Sequence, residues 1–124
     1  MTAYFTSEVV SIGSDATEMF AGGVVILFGE PCPSQLADVS IVHKSTFVHP
    51  ERDPRPGDQL RMGDSVLTLT QVGSIAGDNL RSLGHIVLYI DPEPGEKVLP
   101  GAVHATGTFL PPQAGATIDI VEGD

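Results

Sequence analysis

Four histidines are the residues of this 124-residue chain best suited to chemistry near neutral pH. His43 ends a strand-like run, DVSIVH; His85 begins another, HIVLYI; His104 sits inside a third, AVHATG; His49 alone reads as a loop residue. An imidazole near its ordinary pKa can act as a nucleophile, a proton carrier or a metal ligand. Three of them on or beside separate strands point to a site, although any one alone could be a half-buried histidine bonded to backbone or water.

Spacing narrows the chemistry. Zinc sites commonly take two ligands from one element through a close pair such as HxH or HxxxH, and this chain has neither, His43 and His49 being six apart. A serine hydrolase needs a strained elbow of the form GxSxG, which GSIAG around Ser74 resembles only superficially. Neither GxxxxGK[ST] nor GxGxxG occurs, which argues against a nucleotide enzyme. The single cysteine, Cys32, lies between Pro31 and Pro33, so an internal disulfide and a CxxC pair are both excluded and the residue reads as a small filler in a turn. What is left is histidine acting directly as the nucleophile, with no cofactor or metal expected.

The elements that must position these residues are short. Fourteen glycines and ten prolines divide the apolar residues into segments suited to strands rather than to a helical bundle. Strands are predicted at residues 5–12, 24–28, 39–43, 59–62, 65–72, 85–90, 102–107 and 117–121, giving an all-β barrel or sandwich. Two short helices are predicted. One covers 16–20, begun by Asp15 with Glu18 in capping-box spacing; the other covers 78–83, with Asp78 as its N-cap and Gly84 ending it. Period-two alternation puts His43 on one face with Val39 and Ile41, His85 with Val87 and Tyr89, and His104 with Ala102 and Thr106. No internal repeat or linker is visible, so residues 1–124 read as one domain with one core.

Charge excludes more than it identifies. Sixteen acidic against six basic residues give a formal net charge of −10, which repels phosphate backbones and anionic headgroups, so neither nucleic acid nor a membrane surface is an expected partner. The N-terminus lacks the basic start and apolar core of a signal peptide, and the longest apolar run, 24–28, is far short of the roughly 20 residues of a membrane helix. A cytoplasmic protein without membrane insertion is expected.

VGSIAGDNLRSLGH at 72–85 and LPGAVHATG at 99–107 resemble the enzyme IIA component of the bacterial glucitol/sorbitol phosphotransferase system. The resemblance extends through IGSDAT at 12–17, VVILFGEPCPSQL at 24–36 and the IVH ending at His43, and residues 44–63 depart most from the pattern. It implies a small closed Greek-key β-barrel that takes a phosphoryl group from the phosphocarrier HPr on one histidine and passes it to a cysteine of the cognate IIB component, coupled to sugar entry through the IIB/IIC permease. By position that histidine is His43. His85 and His104 match the histidines that close the two most distinctive motifs, and are expected to approach His43 and stabilise the phosphoryl group. The turn GSIAGDN is a weaker source of backbone N–H donors, and Phe47 and Val48 beside His43 are expected to form an apolar docking centre or to close the barrel core. A non-catalytic regulatory or binding barrel and a cupin-like metal protein are the alternatives.

Overall fold

The structure, a computed structural model, describes residues 3–123. Eight strands, β1 (Ala3–Ile12), β2 (Val24–Gly29), β3 (Ile41–Val48), β4 (Gln59–Met62), β5 (Ser65–Val72), β6 (Ile86–Ile90), β7 (Ala102–Thr106) and β8 (Thr117–Val121), close into one barrel in the order β1-β3-β2-β6-β7-β5-β4-β8. Closure leaves no unpaired edge strand. All neighbours are antiparallel except β2 with β3 and β6 with β7. Alternation sends Phe5, Val25, Leu27, Leu60, Leu67, Leu88 and Ile120 inward, each side chain contributing about 1.5–3 kcal/mol by leaving water. Helices α1 (Ala16–Ala21), α2 (Ser34–Ala37) and α3 (Ala76–Leu83) sit in the connections.

Seven of the eight strand expectations stand to within about two residues at either end, the accuracy with which such boundaries are defined at all. The strand expected at 39–43 lies instead at Ile41–Val48, and α2 before it was not anticipated. Residues 44–47 are exposed in succession, so the stretch carries no period-two signal and His43 read as an end rather than a middle. The 85–90 strand begins one residue later, leaving His85 just outside it. Neither expected side-chain cap forms. Asp15 makes no capping hydrogen bond, and α3 starts at Ala76, so Asp78 falls inside its first turn and pairs with Arg81.

The barrel is also built twice over, which the sequence reading did not see. Exchanging β1 with β5, β2 with β6, β3 with β7 and β4 with β8 reproduces the strand order, read in the opposite sense. Backbone bonds repeat with it. Gly13 N–H donates to Ser40 O as Gly73 N–H does to Ala102 O, and Glu30 N–H donates to His43 O as Asp91 N–H does to Ala105 O. Gly13 and Gly73 are glycine for the same reason, since a Cβ at either would collide with backbone carbonyls, of Ala37 and Asp38 or of Leu99 and Pro100. Each half therefore serves as a reference for the other.

Candidate functional site

His43 faces into the barrel and is completely buried. Its Nε2 lies 2.6 Å from Gly84 O and its Nδ1 lies 2.5 Å from Ser7 Oγ. A carbonyl can only accept, so the proton is on Nε2, and the Ser7 hydroxyl then donates to the Nδ1 lone pair. The Phe5 ring packs edge-on against the imidazole at 5.9 Å. Burial holds the His43 pKa below the ordinary histidine value, the neighbouring His85 adding to the effect and the Gly84 carbonyl opposing it. The ring is therefore neutral at pH 7, as a nucleophile must be.

His85 stands at the same end of the barrel. Its Nδ1 accepts the Gly29 N–H at 3.2 Å, and its ring stacks on Phe28 with centroids 3.7 Å apart. Burial lowers its pKa also, with the Gly84 carbonyl opposing. The two histidines together replace a rung of the β2–β6 ladder. In the other half Ile90 N–H donates to Gly23 O at 2.8 Å; at the counterpart, Gly84 O takes the His43 Nε2 proton and Gly29 N–H turns to His85 Nδ1. Gly29 and Gly84 have no side chain between them because none fits. A Cβ on Gly84 would lie 3.1 Å from Gly29 Cα and 3.2 Å from His43 Cε1, and the Gly84 backbone is left-handed at φ 73°.

His104 does not join this pair. On β7 it points away from the core, with its ring edge-on to Tyr89 at 6.0 Å, and it borders a cleft walled by Gln71, Asp91 and Glu93. Its level in the barrel is that of Tyr89 and Val24, whereas His43 is level with Gly29; five residues of β2 separate the two levels, about 16 Å at ~3.3 Å per residue. The expected three-imidazole cluster is thus corrected to a pair. IVH and AVH look alike, but Ile41 and Val103 hold the same place in the two halves, and Ile41 is two residues before His43 whereas Val103 is one before His104. The structural counterpart of His43 is Ala105, and a one-residue difference in register reverses the face.

The other expected contributors fall elsewhere. The turn GSIAGDN lies at the opposite end of α3 from Gly84, roughly 12 Å away at ~1.5 Å per residue, and there the Asp53 carboxylate lies over Gly77 and pairs with Arg81. Its N–H groups do not face His43. Phe47 is half exposed, about 13 Å along β3 from His43, whereas Val48 packs against the core. His49 is a loop-anchoring residue: its N–H donates to Tyr4 O and its Nδ1 accepts from Glu51 N–H. The apolar surface beside the site is a groove of about 350 Å³ bordered by His85, Phe28, Leu36, Val39, Tyr89 and Leu99. Sequence reasoning missed Ser7 and Gly84. Ser7 had a signal, a lone hydroxyl between Phe5 and Val9 on the inward stripe of β1; a backbone carbonyl has none.

On the role that the resemblance implies for His43, replacing His85 by alanine is expected to slow phosphoryl acceptance roughly ten- to a thousandfold, the range for loss of one well-placed donor, with partner affinity changed much less. The same substitution at His104 is expected to leave the rate unchanged. Rapid-quench phosphorylation of both variants checks this pair of outcomes.

Comparison with known proteins places the fold and site in a family. The family model described as the PTS system glucitol/sorbitol-specific IIA component matches residues 4–119. The chain is 35% identical over 109 residues to the PTS system glucitol/sorbitol-specific EIIA component of Shigella flexneri and 34% identical over 109 residues to that of Escherichia coli K12, covering 86% of this chain and 85% of each relative. The crystal structure of a PTS system IIA component from Enterococcus faecalis V583 superposes with a TM-score of 0.80 at 31% identity, over 94% of this chain and 98% of that one. Among the described residues no helix is long and apolar enough to cross a membrane. With a closed barrel, a neutral buried histidine and these relatives together, the chain belongs to the glucitol/sorbitol-specific IIA components of the phosphotransferase system, phosphoryl carriers that work among that system's other proteins.

Proposed function

We propose that His43 is the residue that carries the phosphoryl group, received from phospho-HPr and passed to a cysteine of a cognate IIB component during entry of glucitol or a related polyol. The observation that carries this reading is the His43 ring itself: fully buried, neutral, and held at both nitrogens in place of a ladder bond. A fold would not need this, because Ala105 occupies the counterpart position in the other half. The partners, the histidine and the cytoplasmic setting are supported by the family and by the net charge of −10, which favours a basic partner face.

Nε2 is the nitrogen on the side of the α3–β6 connection. Nδ1 points to Ser7 inside the barrel, whereas Nε2 points to the Gly84 peptide, which follows exposed Ser82 and Leu83. Acceptance therefore requires the Gly84 carbonyl to swing aside. Water takes the Nε2 proton and returns one to Nδ1, freeing the Nε2 lone pair with no net change in charge. That lone pair forms the new N–P bond as the donor's N–P bond breaks, and the broken bond's electrons return to the donor ring. The donor ring, protonated at its far nitrogen, leaves as neutral imidazole, and His43 becomes a phosphoimidazolium with its proton on Nδ1. Gly84 O has then lost its donor, and Gly29 N–H can complete the rung as Ile90 N–H does with Gly23 O. That exchange frees the His85 Nδ1 lone pair, and once Nδ1 takes a proton it can donate to the phosphoryl group.

Incubation with phosphoenolpyruvate, enzyme I and HPr, followed by intact-mass measurement, is expected to show one added phosphoryl group. The label is expected to be lost in mild acid and kept in alkali, as an N–P bond behaves and a phosphoserine does not. Acid-stable label would instead indicate a hydroxyl such as Ser45.

A further inference from the structure

The Ser7 hydroxyl is one of the few polar groups inside the barrel, being 1% exposed. It approaches His43 Nδ1 to 2.5 Å, with Phe5 covering the ring alongside. The internal repeat supplies a control. Val9 pairs with His43 as Leu69 pairs with Ala105, so the counterpart of Ser7, two residues earlier on the strand, is Leu67. Where one half of the barrel contains leucine and alanine, the other contains serine and histidine. The fold is satisfied by the apolar pair, so a barrel position that gives up a leucine for a hydroxyl beside the histidine calls for another reason.

We propose that Ser7 is a positioning residue for His43, holding Nδ1 through both proton arrangements of the phosphoryl cycle. The inference rests on the assignment of His43 as the phosphoryl acceptor. A hydroxyl both donates and accepts. At rest it donates to the Nδ1 lone pair while Nε2–H donates to Gly84 O. During transfer the ring proton is on Nδ1, and Ser7 Oγ accepts a hydrogen bond from Nδ1–H while Nε2 forms its bond to phosphorus. On the Ser7 side of the ring only hydrogens move. Rotation of the hydroxyl hydrogen changes the role, so the ring keeps one orientation in a densely packed interior. Accepting from Nδ1–H also stabilises the positive charge that the ring gains in accepting the phosphoryl group, and keeps a proton on the ring that must later leave as neutral imidazole when the group moves on.

The test uses the full chain, phospho-HPr as donor, and Ser7→Ala and Ser7→Thr. Single-turnover phosphorylation of S7A is expected to be about ten- to a hundredfold slower, the usual cost of removing a group that orients an imidazole, with donor affinity unchanged and S7T restoring most of the rate. Nitrogen-15 correlation spectra of the wild type are expected to show Nε2–H in the free form and phosphorus on Nε2 in the loaded form. Titration of the loaded ring is expected to show that S7A binds the Nδ1 proton about tenfold more weakly. A folded S7A with wild-type rate and unchanged Nδ1 titration would overturn the role of Ser7 while leaving His43 in place. Phosphorus on Nδ1 in the wild type would overturn it too, since Ser7 would then stand in the path. Label on a residue other than His43 would remove the assignment of the acceptor and this inference with it.

Discussion

Replacing His43 by glutamine is expected to abolish phosphoryl acceptance under conditions that load the wild type completely, while the barrel stays folded. The glutamine amide can reach toward Gly84 O as the imidazole does, but its nitrogen lone pair is delocalised into the carbonyl and does not attack phosphorus. Alanine would be equally inactive and less informative. It would leave a cavity beneath Phe5 and strip the partners from Ser7 Oγ and Gly84 O, at a cost of about 2–4 kcal/mol for the lost packing and the unpaired groups. From sequence alone, an alanine at this position reads as harmless to the fold; complete burial reverses that expectation. Intact-mass measurement after incubation with phospho-HPr checks the activity, and a urea titration of each variant checks the stability. Full loading of H43Q would move the phosphoryl group to another residue, His85 first.

The legible part of this fold was the part governed by alternation. In β2 and β4 buried and less buried residues alternate at every step, and a period of two in the letters became a strand in the barrel. β3 failed that test because Lys44, Ser45, Thr46 and Phe47 are all exposed, and so the strand that bears His43 was cut at the histidine. His85 was legible as a site residue because it begins an apolar run, but its pairing with Gly29 depends on the close approach of two glycines between the neighbouring β2 and β6, a long-range fact with no local signature. His104 misled because it too sits on a strand and closes a distinctive motif, while the register that turns it away from the core has no local signature. The visible trace of the repeat was IGSDA at 12–16 answered by VGSIA at 72–76; it sets Ser7 against Leu67, whereas setting His43 against Ala105 takes the strand register. A polar pair replacing an apolar one at equivalent core positions identifies a site more sharply than any histidine count.

Asp58→Ala is expected to lower stability by about 3–5 kcal/mol, the usual consequence of removing one member of a buried ionic pair, and to flatten the acid end of the stability curve. Asp58 is 3% exposed and has four donors. Its Oδ2 accepts from Tyr4 Oη at 2.7 Å, Arg52 Nη2 at 3.0 Å and Arg55 N–H at 3.0 Å, and its Oδ1 accepts from Gly123 N–H at 3.0 Å. The Arg52 guanidinium lies over the Tyr4 ring, 4.4 Å from its centroid. One carboxylate thus ties the loop between β3 and β4 to the first strand and to the end of the chain. Burial pushes the Asp58 pKa up, but Tyr4, the two backbone N–H groups and Arg52 together outweigh it and hold the group below its ordinary value. Tyr4 is raised, first by burial and then by the hydrogen bond to Asp58, so it stays a donor. The sign for Asp58 follows from its lowered pKa: its contribution is complete above about pH 3.9, the unfolded value, and is lost as pH falls through the lower folded one. His43 acts in a higher window, since its pKa is also lowered; stability begins to fall below about pH 6.5, where the unfolded imidazole takes a proton that the buried one refuses. Urea titrations across this range are expected to show two sloping regions in the wild type. D58A, or the milder D58N if alanine unfolds the barrel, is expected to lose the lower slope and keep the upper, and H43Q is expected to keep the lower and reduce the upper to the part due to His85. An Asp58 variant whose stability still falls as steeply between pH 4 and the acid limit would show that the clamp does not govern acid unfolding.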